Sequence, residues 1–329
     1  MAKTQLGFDI GSSSMKVAVF QGDSLRVEEV RLPENMVDGA GNITLPHAFT
    51  QFLKQTRKEL ALPRCKASLV LPPSQVICRL VTMPRMTTQQ LMMNLPYEFT
   101  DFIQGAADQY FCDYALCTPT EAETENEEEQ GIPMMAAAAA KQTLAEYSQM
   151  FAQAGIRLRT ILPQEMALID LVKSRGNEGE EYCFVDLGHQ STRITVICRD
   201  RVQATRQIAL GGRNMDLALA DSLGVDAFLA NTYKTTDYQN VQSSDAVRDV
   251  CDRIAVEILK VINFYQFTYR NNNLEGLYLA GGGAALPYLC QSIQETVSLP
   301  VLSTDRLLTA GAGGAAAGIF AAGAALGGN

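Results

Sequence analysis

Read for apolar and polar positions, the chain opens with two strand-like runs, QLGFDIG and SMKVAVF, joined by the small polar turn GSSS. A third, SLRVEEVRL, follows a Gly-Asp turn. The same layout returns in the second half as EYCFVDLG, the turn HQST, then RITVICRD and RVQATRQIAL. Each copy carries an Asp-x-Gly at its first turn, which marks an internal duplication of a β-turn-β unit. Apolar residues at helical period follow both copies, at 47–60 in the first half and at 214–223 and 245–270 in the second. The pattern predicts an α/β protein of two related lobes, 1–180 and 181–329.

Within the first lobe an inserted α/β unit is expected over about 31–155. KASLVLPPSQVICRLVTMP reads as two strands, TTQQLMMNLPYEFTDFI as one helix, DQYFCDYALC and IPMMAAAAA as strands, and KQTLAEYSQMFAQAG as a helix closed by Gly155. The acidic run EAETENEEEQ, 121–130, reads as a solvated hairpin loop. Residues 308–328, LTAGAGGAAAGIFAAGAALGG, run about a membrane thickness without a charge. Alanine and glycine dominate there, only Leu308, Ile319, Phe320 and Leu326 are strong apolar anchors, and no basic or aromatic belt flanks them. A buried glycine loop followed by a helix is the expectation.

Composition narrows the function. With 36 acidic against 27 basic residues the net charge is -9, and no Lys/Arg block is present, which argues against nucleic-acid binding. The eight cysteines fall singly on apolar stretches with no C-x-x-C pair, as buried reduced thiols do. The first residues enter a strand pattern with no signal sequence ahead of it, so a cytoplasmic location is expected.

Asp9, Gly11, Ser12, Ser13, Ser14 and Lys16 set a carboxylate at a strand end before a small-residue turn. Such a turn points backbone N–H groups at an anion, and the carboxylate can hold Mg²⁺ through water. One Asp-Gly turn alone is ordinary hairpin chemistry. The second copy, Asp186, Gly188, Gln190, Ser191 and Thr192, adds specificity, because two such turns on pseudo-symmetric lobes can grip a polyphosphate from both sides. Gly281, Gly282 and Gly283 end an apolar strand before a short helical pattern, which admits a flat ring or a sugar close to the backbone. Gly211 and Gly212 join a strand to an amphipathic helix, a helix-N-terminus geometry suited to phosphate or ribose, or simply a tight connection.

DIGSSSMKVAVF resembles the phosphate-1 motif, FVDLGHQSTRITVI the phosphate-2 motif and LAGGGAALP the adenosine motif of the actin, sugar-kinase and heat-shock-chaperone superfamily, whose fold is ribonuclease H-like. VLPPSQVICRLVTMPRMTTQQLMMNLPYEF, followed by AGIRLRTILPQEMALIDLV, is similar to the extra subdomain of FtsA-like proteins in its PilM version, from type IV pilus assembly. The resemblance covers nearly the whole chain. It implies actin-like duplicated lobes with an FtsA/PilM-type insertion and an ATP-Mg²⁺ complex between them, with Asp9 and Asp186 near the metal. Gly11 to Ser14 and Gly188 to Thr192 would contact the phosphates. Gly211, Gly212, Lys234, Glu257, Lys260 and Gly281 to Gly283 would surround ribose and adenine. Gln164 and Glu165, after the inserted unit, occupy the place from which hydrolysing relatives address the γ-phosphate, and slow or absent hydrolysis is the family expectation.

The partner the resemblance implies is the short cytoplasmic N-terminal tail of a bitopic inner-membrane pilus protein, PilN-like, which would hold the chain peripherally at the membrane. Self-association stays open. The sequence departs from the family pattern at YEFTDFIQG, which lacks the family's proline, at the A-E-x-x-K segment AFLANTYK, which lacks the glutamate, and at His189, where a small residue is usual. His189 reads as a solvent-facing turn residue or a phosphate contact, and His47 as an exposed helix-start residue. An FtsA-type division scaffold would carry a basic amphipathic C-terminal helix, and GIFAAGAALGGN is not one. A small-molecule kinase on the same core would need an acceptor pocket with a general base, and is usually longer.

Overall fold

The computed structural model describes residues 4–22, 24–118, 131–174, 181–269, 272–308 and 315–327. The acidic run 121–130 and the glycine loop at 309–314 lie outside them. The chain forms two compact bodies. The first holds the described residues of 1–178 together with 198–203 and 320–327, and the second those of 181–197 and 204–319.

In the first body the chain order is β1 (Thr4–Ile10), β2 (Ser14–Gln21), β3 (Ser24–Arg31), α1 (Pro46–Glu59), β4 (Lys66–Leu71), β5 (Val76–Met83) and α2 (Thr88–Asn94). It continues with β6 (Tyr110–Leu116), β7 (Ile132–Ala140), α3 (Lys141–Gln153), β8 (Arg157–Pro163) and α4 (Gln164–Lys173). One sheet runs β3-β2-β1-β4-β8, with β1 antiparallel to β2 and parallel to β4. Its central strand is buried on both faces from Leu6 to Ile10, with Leu6, Phe8 and Ile10 on one face and Gly7 and Asp9 on the other, whereas edge strand β3 alternates. The core beneath it takes Phe49 and Leu53 from α1 and Tyr147, Met150 and Phe151 from α3.

Strand β4, read with β5 as part of the insertion, is instead the parallel neighbour of β1, and α1 and α3 pack on that same sheet. A second sheet, β5-β7-β6, has its own small core of Val81, Met83, Leu91, Leu95, Phe99 and Met134. The helix expected over TTQQLMMNLPYEFTDFI stops at Asn94 and continues as a 3₁₀ turn, Leu95–Phe99, because Pro96 lacks the N–H that an α-helix needs there.

The second body contains β9 (Glu181–Leu187), β10 (Thr192–Cys198), β11 (Arg201–Ile208), α5 (Gly212–Leu223), α6 (Ala227–Thr236), α7 (Asp245–Thr268), β12 (Leu274–Ala280), α8 (Pro287–Thr296) and β13 (Val301–Leu302). Its sheet runs β11-β10-β9-β12-β13, so the second Asp-x-Gly strand is again central. The β10–β11 turn, 198–203, belongs with the first body. There the buried Asp200 accepts hydrogen bonds from the Thr118 N–H and hydroxyl, both at 2.8 Å.

The last helix, α9 (Ile319–Gly327), is buried from Ile319 to Ala325, as the alanine-rich pattern predicts for its helical part. Small residues let it lie against backbone: a Cβ on Gly323 would fall 2.0 Å from the Ala167 carbonyl of α4. Beside it, burial pushes the Asp170 carboxyl up to about 6, against the pull of Lys173. A folded pKa raised above 3.8 means stability is fully present below that value and is lost as pH rises through about 6. Asp170→Asn is therefore expected to gain about 2–3 kcal/mol above neutral pH and almost nothing near pH 4, read from denaturation curves across pH.

No disulfide joins the eight cysteines, and burial pushes the thiols of Cys183 and Cys251 up to about 12. His47 is exposed at the second residue of α1. Among the described residues no helix is long and apolar enough to cross a membrane.

Candidate functional site

The two Asp-x-Gly turns are copies in atomic detail. The Gly11 N–H donates to the Ser14 carbonyl at 3.0 Å, and the Gly188 N–H donates to the Ser191 carbonyl at 3.1 Å. A Cβ on either glycine would press on that same oxygen, at 3.1 and 2.7 Å. In each turn the next two amides, of Ser12 and Ser13 and of His189 and Gln190, have no hydrogen-bond partner among the described residues. Consecutive N–H groups left open in a tight turn form a concave anion site.

Asp9 precedes the first turn and is buried; desolvation raises its pKa, and Lys16, its register partner on β2, opposes the rise. Lys16 also lies 3.7 Å from Glu29, to which Ser14 donates at 2.6 Å. Ser191 accepts from Gln207 at 3.1 Å, and the buried Thr192 hydroxyl donates to the Leu210 carbonyl at 2.9 Å. These three hydroxyls thus brace the third strand or the loop after it. The Ser12 and Ser13 amides and the His189 and Gln190 amides stay open beside them.

Parallel register places further candidates on the same sheet edges. Asp9 pairs with Val70 of β4 and Val70 with Leu162 of β8, so Gln164 and Glu165 at the start of α4 stand just beyond Asp9's row. In open α/β sheets ligands collect at the carboxyl ends of parallel strands. The Gln164 Oε1 is buried there with no hydrogen-bond partner among the described residues. Glu165 is buried close enough to Cys78 for its charge to help raise that thiol, after burial itself. In the second body Asp186 pairs with Ala280, which brings Gly281 beside it. Gly281 has φ +80°, and a Cβ there would lie 2.4 Å from Asp186 Oδ1, while one on Gly283 would meet Leu187 at 2.7 Å. A Cβ on Gly282 would meet nothing within 4 Å, so the middle glycine is the one that faces open space.

Gly211 and Gly212 form a tight strand-to-helix connection, one of the two readings their position allows. The Gly212 N–H donates to the Gly188 carbonyl at 3.0 Å and the Arg213 N–H to the His189 carbonyl at 2.7 Å, while the Gly211 N–H is held by Asn214 Oδ1 at 2.9 Å. The helix N-terminus is thus occupied by the phosphate-2 turn, and the glycines allow that close docking: a Cβ on Gly211 would lie 2.6 Å from the Gly188 oxygen. Lys234 is buried on α6, 2.6 Å from Asp216 and donating to the Gly212 carbonyl at 2.8 Å. His189 Nδ1 lies 3.7 Å from the same Asp216, and burial lowers its pKa despite that carboxylate. His189 therefore turns partly inward rather than to solvent.

Asp216 was not singled out from the sequence, though an aspartate among Met215, Leu219 and Ala220 on the buried stripe of α5 is a readable sign of an internal ion pair. Glu257 and Lys260 pair with each other at 2.6 Å on α7. Neither makes a polar contact with the glycine turns among the described residues.

Central strands ending in twinned Asp-x-Gly turns, on duplicated five-stranded sheets, define an actin-like α/β protein. The family profile described as type IV pilus assembly protein PilM matches residues 7–308, and the chain belongs to that family. A solved PilM-PilN type IV pilus biogenesis complex is similar in fold at TM-score 0.78 and 22% identity, covering 98% of both chains. The ethanolamine utilization protein EutJ from Carboxydothermus hydrogenoformans is similar at TM-score 0.59 and 15% identity, covering 98% of this chain and 89% of its own.

Proposed function

We propose that this chain binds ATP with Mg²⁺ and docks the cytoplasmic N-terminal tail of a PilN-like bitopic protein, which holds it at the inner face of the membrane during pilus assembly. The observation that carries the nucleotide reading is the pair of open amide nests at Ser12–Ser13 and His189–Gln190, each after a strand-end aspartate. They suit phosphate oxygens, and the space before Gly282 suits the nucleoside. Asp9 and Asp186, each at the end of the central strand of its own body, are the carboxylates proposed for Mg²⁺ through water, and a cation beside Asp9 would stabilise the charged form of that desolvated group. Bound Mg²⁺ would neutralise phosphate charge.

For catalysis, Gln164 would orient a water, a role supported by its buried oxygen, which has no hydrogen-bond partner among the described residues. Glu165 is enclosed near Cys78, which fits slow or absent hydrolysis. The partner reading is supported by the solved PilM-PilN complex, matched over nearly the whole chain, and by the exposed Met93, Tyr97, Phe102 and Phe111 on the inserted unit. An apolar surface of that kind suits a tail that orders on binding. ATP with Mg²⁺ is expected to bind the intact chain at one site by calorimetry. Gly282→Asp, which sets a carboxylate in the open space, is expected to weaken binding by at least about tenfold.

A further inference from the structure

A groove of about 620 Å³ opens in the second body and shares Glu257 with the residues expected around the nucleotide. One wall is the five consecutive residues 206–210, the end of β11 and the loop after it, and the other is the face of α7 carrying Asp252, Arg253, Val256, Glu257 and Val261. Three features give it a direction. First, β11 is the terminal strand of its sheet, with no strand on its outer side among the described residues, and an edge strand offers main-chain donors and acceptors to an incoming extended chain. Second, the groove is bordered along α7 by apolar side chains left in water, with Val256 43%, Phe264 56% and Phe267 75% exposed.

Third, the charges do not cancel locally. Asp252 is engaged by Ser292 at 2.6 Å and by the Tyr288 hydroxyl, and Glu257 is held by Lys260. Arg253, by contrast, has no ion-pair or hydrogen-bond partner among the described residues. Among the described residues Arg206 has only the Thr205 carbonyl, at 3.2 Å, and the face of Phe264, 5.6 Å away. The carboxylates are satisfied internally and the guanidiniums are not.

We infer that this groove is a docking site for an extended acidic peptide segment of a partner protein, added as a strand along the outer edge of β11. Its carboxylates would face Arg206 and Arg253, and its apolar side chains would cover Val256 and Phe264. Five residues of groove wall accept a strand of roughly 16 Å, with alternate side chains turned to each side.

The probe is a fluorescein-labelled peptide of about eight residues alternating glutamate and valine, compared by anisotropy with a lysine-valine peptide and with a glutamate-valine peptide N-methylated at alternate amides. The acidic peptide is expected to bind, with both controls weaker by about tenfold or more. Arg253→Glu and Arg206→Glu, both at exposed positions, are expected to lose binding by a similar factor without a change in melting temperature. Hydrogen exchange is expected to slow at residues 204–209 when the peptide is present. Equal binding of the two charge types, no slowing at β11, or no binding at millimolar peptide would overturn the inference. A change of oligomeric state in Arg253→Glu would also overturn it, by assigning the groove to a second copy of this chain.

Discussion

Gly7→Ala, the addition of one methyl group in the middle of β1, is expected to destabilise the first body by at least about 3 kcal/mol and to release helix α9. The new Cβ would lie 1.8 Å from the Ala321 carbonyl oxygen and 2.8 Å from the Ala325 nitrogen. Both are helix backbone, so no rotamer change relieves the clash. Nor can α9 slide outward at small cost, because its Gly323 is seated against the Ala167 carbonyl of α4 and its residues from Ile319 to Ala325 are buried. Hydrogen exchange over 319–327 is the sensitive readout, and those amides are expected to exchange much faster in the variant. Gly282→Ala, whose Cβ would meet nothing within 4 Å, is the matched control and is expected to leave exchange and stability unchanged.

Asp216→Ala is expected to cost about 3–5 kcal/mol, because it leaves the Lys234 ammonium buried without its carboxylate. The two side chains are 3% and 7% exposed and 2.6 Å apart, so water cannot replace the lost partner. The Lys234 hydrogen bond to the Gly212 carbonyl remains, but a neutral acceptor does not compensate a buried charge. The double variant Asp216→Ala/Lys234→Met removes the stranded charge as well and is expected to be more stable than Asp216→Ala alone, measured by denaturant unfolding of the three proteins. The phosphate-2 turn is docked on the same helix through Gly188 and His189, so Asp216→Ala is also expected to loosen the His189–Gln190 nest.

Much of this arrangement is legible in the residues. Period-two and period-3.6 patterning locates the strands and most helices, and the repeated Asp-x-Gly turns announce a duplicated core, because turn chemistry and amphipathicity are local properties. Strand partnership is not local. Nothing in KASLVL says that it joins β1 rather than its sequence neighbour β5. For a similar reason the residues leave two readings open at Gly211 and Gly212: the carbonyls of Gly188 and His189, which take the Gly212 and Arg213 amides, each lie 24 residues upstream of their donor. The Asp200–Thr118 contact likewise joins residues far apart in sequence. The end of the α2 helix at Asn94, however, is readable from Pro96, since proline disrupts an α-helix wherever its N–H is needed.

Titration of ATP with Mg²⁺ into the intact chain, beside Gly282→Asp, tests the central claim most directly. Saturable binding by the wild type, lost in a variant whose melting temperature without nucleotide is unchanged, is the predicted result. A wild-type chain that takes up no nucleotide, or a Gly282→Asp chain that binds it equally well, would contradict the account.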